Sequence, residues 1–144
     1  MYFKNENVTI DKEIVAKIFR YKKKKFKGIK FFTSNDLNMQ VGLMVHNKNH
    51  IIKPHIHLNR KKTIKHMSEF LIIFSGKLKV FFYNKKKNRK KSVILNKKDM
   101  ILLLSGGHGF KAIKKVEMLE IKQGPFNGDK DKLRLKTLWK KLFL

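Results

Sequence analysis

His55 and His57 stand two apart in the run IIKPHIHL, Ile51 to Leu58. On a strand, residues two apart point to the same face, so the two imidazoles stand side by side with Cα atoms about 7 Å apart. That spacing lets two rings share one ion. Glu69 opens the otherwise apolar run EFLIIF, where a buried, unpaired carboxylate is expensive unless a cation or hydrogen bonds compensate it. A metal supplies that compensation. His108 lies in SGGHGF, directly after the apolar run MILLL. Its flanking glycines let the backbone take positive φ and approach a bound group closely. Three imidazoles and one carboxylate form a nitrogen and oxygen donor set suited to iron, manganese, zinc or nickel, with open positions if the ion is six-coordinate. The remaining histidines, His46, His50 and His66, each read alone as exposed or hydrogen-bonded side chains.

Positioning these groups requires strands. After Gly28 come short β-prone runs: IKFFT at Ile29 to Thr33, MQVGLMV at Met39 to Val45, and the histidine run itself. EFLIIF and KLKVFFY follow, separated by Ser75-Gly76, which reads as a tight two-residue hairpin turn. Then come SVIL, MILLL, FKAI and VEMLEIK. Many short strands at regular spacing, with almost no helix between them, predict an all-β sandwich or jelly roll. Several runs are apolar on both faces, as expected where a strand is covered on each side. Two flanking segments differ in pattern. DKEIVAKIFRYKKKKF is expected to start a helix, with Asp11 as N-cap and Ile14, Val15, Ile18 and Phe19 on one stripe. At the other end Leu133, Leu135, Leu138, Trp139, Leu142 and Phe143 alternate with lysines in an amphipathic pattern. The expected organisation is one domain: an N-terminal extension over 1–27, a β-barrel over 28–126 and an amphipathic tail over 127–144.

Composition narrows the chemistry. There is no cysteine, so disulfides, thiolate nucleophiles and sulfur-ligated metals are excluded, and any ion is held by nitrogen and oxygen. No run of 18 apolar residues suited to a membrane-spanning helix occurs, and a cytoplasmic location is the expectation. The formal charge is +26, yet lysine outnumbers arginine 32 to 4. Base recognition leans on arginine's planar fork, and the phenylalanines fall mainly in β runs, where core packing explains them. A solvated lysine coat, or attraction of an anionic small molecule, fits better than nucleic-acid recognition.

The order and spacing of these residues resemble the cupin superfamily. The first cupin motif has an HxH pair, then Glu, then a six-residue gap before Gly, and His55, His57, Glu69 and Gly76 take those places. The second joins a Gly-Asp strand start to a Pro-x-Gly turn and a histidine, which Asp99, Gly106 and His108 resemble. The chain departs from the pattern in three places. Eleven residues separate His57 from Glu69, more than is usual, which leaves Glu69 and His66 both open as the third ligand, with the Glu-to-Gly spacing on the side of Glu69. Lys98 stands where a glycine is usual, and Ser105 where a proline is. The ending EIKQGPFNGDKDK is similar to small cupins found among bacterial surface-polysaccharide genes.

The resemblance implies a double-stranded β-helix, the cupin jelly roll, with a divalent metal held by His55, His57, Glu69 and His108. It implies a small polar substrate, such as a sugar or sugar nucleotide, and metal-dependent isomerase, epimerase or dioxygenase chemistry in which Glu69 and His66 move protons. Lys53, beside the histidine pair, and Gln123, on the last strand, are the candidate substrate contacts. A non-catalytic module that holds a small ligand is the alternative, and a basic nucleic-acid-binding protein a second. The two-faced apolar strands and the amphipathic tail favour a homodimer.

Overall fold

A computed structural model describes residues 2–125 and 128–135. Among these residues there is no α-helix. Eight strands occur: β1 (Tyr2–Ile10), β2 (Glu13–Lys22), β3 (Gly28–Phe31), β4 (Gly42–Val45), β5 (Glu69–Tyr83), β6 (Arg89–Asn96), β7 (Met100–Leu103) and β8 (Gly107–Lys122), followed by a short 3-10 turn at Gly128–Asp131. The all-β expectation holds. Leu138, Trp139, Leu142 and Phe143 of the expected amphipathic tail lie outside the described residues.

The expected helix after Asp11 is instead the second arm of a hairpin. Asp11 and Lys12 take φ of 48° and 69°, the two positive values of a tight hairpin turn whose twist matches that of its strands. β1 and β2 pair antiparallel across it, and the register shifts between Val8 and Thr9. That bulge leaves Val15 as an extra residue, so Val15 and Ala16 both reach the core. Ile18 faces the same core, while Phe19 enters a second cluster on the opposite face. A strand buried on both sides thus mimicked the spacing of a helical stripe. Residues 2–22 accordingly contribute two strands to the main sheet.

That sheet runs β1-β2-β7-β5-β6, with β8 along the other edge of β5. β5 and β8 each span two of the strands expected from sequence. The Ser75-Gly76 pair is a corner within β5, which continues to Tyr83. Gly76 takes φ of 81°, and a Cβ there would lie 1.8 Å from the Lys115 carbonyl oxygen of β8. Only glycine lets the two backbones approach so closely. Register shifts at Ile73/Ser75, Ser75/Lys77 and Lys77/Leu78 turn the two strands together, since bulges bend a strand and increase its twist. The antiparallel sheet therefore curls into a half-barrel.

The concave face encloses the principal core, in which Val8, Ile18, Leu71, Ile73, Leu78, Val80, Phe82, Leu95 and Ile101 are fully buried. The convex side of the β1, β2, β7 half carries the second cluster: Phe3, Phe19, Phe70 and Leu102 under Phe32, with Leu43 of β4 packed against it. The β3–β4 hairpin is a separate two-stranded sheet.

Candidate functional site

The curl brings together two of the residues singled out from sequence. Glu69 is the first residue of β5, while His108 of β8 pairs with Phe82 near the far end of β5. A straight strand would hold those positions roughly 40 Å apart. Instead, His108 Nε2 lies 3.0 Å from Glu69 Oε2. The side chains share the core face: Glu69 is in phase with buried Leu71, and His108 with buried Phe82.

The pair is only partly open to solvent, with side-chain exposures of 14% for Glu69 and 26% for His108. Its hydrogen bond with His108 holds the Glu69 carboxyl below its usual value, against the upward push of burial, and the charges of His108, Lys122 and Lys132 act in the same downward direction. Glu69 is thus an ionised acceptor at neutral pH. The Phe110 ring lies 5.3 Å from that of His108, tilted by 44°. Two residues along β8 from His108, Phe110 shares its face, a placement that strand alternation alone predicts.

Neighbouring contacts fix where β5 begins. Gln123, expected as a substrate contact, accepts a 2.7 Å hydrogen bond at Oε1 from the backbone N–H of buried Ser68. Its side-chain oxygen therefore anchors the residue preceding Glu69. Asp99, the acid of the second motif, is buried and held by Arg20 at 2.7 Å, by the Asn96 N–H at 2.9 Å and by the Tyr21 N–H at 3.4 Å. Lys98, where the resemblance expects a glycine, adopts φ of 72°, in the left-handed region that glycine enters most readily. The Asp99–Arg20 pair ties the β6–β7 turn to β2, a partnership across 79 positions that no local pattern in the chain reveals.

His55 and His57 occupy a different place. The 51–58 run, expected as a strand, is an exposed connection without strand pairing. The two rings do come together, with centroids 5.0 Å apart at 72°, and His55 Nδ1 lies 2.9 Å from the Lys53 carbonyl oxygen. Lys53 and His66 are exposed in the same connection. Among the described residues, no three His, Asp or Glu side chains gather closely enough to hold one ion. The structure thus forms two separate pairs, Glu69 with His108 and His55 with His57. His46 and His50 stack in parallel at 4.0 Å, and His46 Nε2 is a buried atom without a hydrogen-bond partner.

The Glu69–His108 pair supplies one oxygen and one nitrogen donor, joined to each other by a hydrogen bond. One carboxylate and one imidazole make a mixed nitrogen and oxygen donor pair of the kind that borderline divalent ions accept. Comparison with models of known protein families, with curated proteins and with solved structures found no match.

Proposed function

We propose that this chain is a metal-binding barrel of the cupin kind, a double-stranded β-helix that acts on a small polar, anionic molecule at Glu69 and His108. The observation that carries the proposal is the 3.0 Å approach of these two side chains from opposite ends of a bent strand pair. A chain that needed only structural support at this point has apolar alternatives, because a partly buried ion pair adds little net stability over well-packed hydrophobic residues.

His55 and His57 complete the ligand set in this proposal. Support comes from the sheet edge beside His108. Among the described residues β8 pairs with β5 alone, which leaves its outer edge with a row of open backbone groups. Such an edge, long and carrying the exposed apolar side chains Met118, Leu119 and Ile121, is a template for another strand. The 51–58 run has the alternation of a strand, and its Ile56 and Leu58 are 91% and 83% exposed. Its addition to the β8 edge would cover both surfaces and carry the two imidazoles toward His108.

A bound divalent ion would supply Lewis-acid polarisation of a substrate carbonyl or activation of a water molecule. The chain's own groups do the rest. Glu69, ionised and half-enclosed, accepts a proton or a substrate hydroxyl hydrogen bond. Lys122 and Lys132, whose charges act on Glu69, and the surrounding lysines attract an anionic group. Isomerase or oxygenase turnover follows if a substrate reaches the ion's open positions, and a ligand-holding module if none reacts there.

The test is metal content by elemental mass spectrometry on protein purified without chelator or affinity histidines. Near-stoichiometric metal that is lost in His55→Ala, His57→Ala and His108→Ala establishes one shared site. Amide exchange then slows in 51–58 and along β8 when metal is added. A parent protein that is empty and refuses added divalent ions overturns the proposal.

A further inference from the structure

The chain leaves β8 beside one member of the Glu69–His108 pair and returns beside the other. Gln123, directly after β8, holds the N–H of Ser68, the neighbour of Glu69. Twelve positions later Leu135 rests on the backbone of Gly107, the neighbour of His108: its Cδ1 lies 3.3 Å from the place that a Gly107 Cβ would occupy. That place is also 3.1 Å from Tyr83 Cβ. Any side chain at position 107 therefore competes with Leu135 for its seat.

The segment between these points passes the rim of the sheet. Side chains alternate along a strand, so Gly107 faces the side of β8 opposite to His108. Leu135 is thus hooked behind the strand that carries the histidine. Three residues earlier, the charge of Lys132 acts on Glu69 at the front, and three residues of extended chain span about 10 Å, enough to cross an edge strand. The hook has a light hold. Lys132, Leu133 and Arg134 are exposed, and Leu135 is only partly buried. A segment anchored through so little apolar surface opens at low cost, independently of the sheet beneath it.

We infer that residues 128–135 form a strap across the rim of the Glu69–His108 site, closed in this structure with Leu135 seated on Gly107, and that it opens to admit a small ligand. The inference takes from the proposed function that these two side chains are the site. Opening accounts for how a ligand reaches a pair whose side chains are largely enclosed, and closing excludes water from it. Gly107 belongs to the strap's seat: its φ lies outside the left-handed region, so it is the space, taken by Leu135 and Tyr83, that a side chain there would contest.

The experiment follows modification of each histidine by diethyl pyrocarbonate in the full chain, resolved by peptide mass spectrometry. Leu135→Ala empties the seat, and Gly107→Ala fills it with a methyl group. Both are expected to speed modification of His108 about tenfold, the effect of losing a partly buried leucine's contact. His50 and His66, both exposed, keep the parent's rates and serve as internal controls. A third variant carries Gly107→Cys with Leu135→Cys in a chain that has no other cysteine, joined by a short thiol-reactive cross-linker that reduction cleaves. Joining is expected to slow His108 below the parent's rate, and cleavage to restore it. An unchanged His108 rate in both alanine variants, or one that joining does not slow, overturns the inference by showing that His108 is reached without opening. Equal acceleration at His50, His66 and His108 overturns it too, by showing a general loosening of the fold. None of these readings needs a bound ion, so failure of the metal proposal leaves a distinct result.

Discussion

Replacing Gly76 by alanine tests whether the corner in β5 creates the site. Two costs add at this position. A non-glycine residue at φ of 81° sits in the left-handed region, at about 1 to 2 kcal/mol. The new Cβ would lie 1.8 Å from the Lys115 oxygen and 2.8 Å from Val116 Cα. Backbone atoms must therefore move by more than an ångström in a ladder that is hydrogen-bonded on both sides of the corner. Forced shifts of this kind cost about 1 to 3 kcal/mol. Together they reach about 2 to 5 kcal/mol, a large share of the 5 to 15 kcal/mol that holds a typical domain together. Gly28→Ala separates the two costs: Gly28 has φ of 99° but no atom within 4 Å of its hypothetical Cβ, so that variant carries the conformational cost alone. Urea unfolding followed by circular dichroism measures both. Gly76→Ala is expected to lose about 1 to 3 kcal/mol more than Gly28→Ala. Equal losses would refute close approach of β8 as the reason for the glycine, and with it the account of how the strand pair bends.

Further outcomes follow from single contacts. Asp99→Ala leaves Arg20 without its 2.7 Å partner and frees the Asn96 N–H, and a loss of about 3 kcal/mol is expected in urea unfolding, as for a broken buried pair. Gln123→Ala removes the acceptor for the buried Ser68 N–H; it should cost about 1 to 2 kcal/mol, and Gln123→Glu, which keeps an oxygen there, should restore most of it. Phe82→Ala opens a cavity in the principal core and is expected to cost about 3 to 5 kcal/mol, whereas Ile56→Ser, on a side chain 91% exposed, should change stability by less than about 0.5 kcal/mol. If His66 serves only as a proton carrier, His66→Ala retains the metal that His108→Ala loses, a difference visible in elemental analysis.

Glu69 and His108 were legible as chemical residues from their neighbours alone: an acid opening an apolar run, and a histidine between glycines. Their contact was not, because it depends on β5 and β8 bending in step. Ser75-Gly76 carries the same local signal whether the chain reverses in a hairpin or turns a corner. The difference is set by Lys115, 39 positions away, whose carbonyl presses on Gly76. The 51–58 run shows the converse. Its alternation is that of a strand, yet pairing needs a partner edge, and none is joined to it among the described residues.

The chain by itself determined that the protein is built of strands, that any metal is held by nitrogen and oxygen, and that lysine dominates its surface, since these follow from side-chain chemistry and short-range alternation. Tertiary structure decided that residues 13–22 form a strand, because burial on both faces outweighs a helical spacing that local pattern cannot distinguish from it. It also decided which chemical groups meet. Glu69 and His108 touch because backbone hydrogen bonds between strands distant in sequence set register and curl, and no residue carries that register alone.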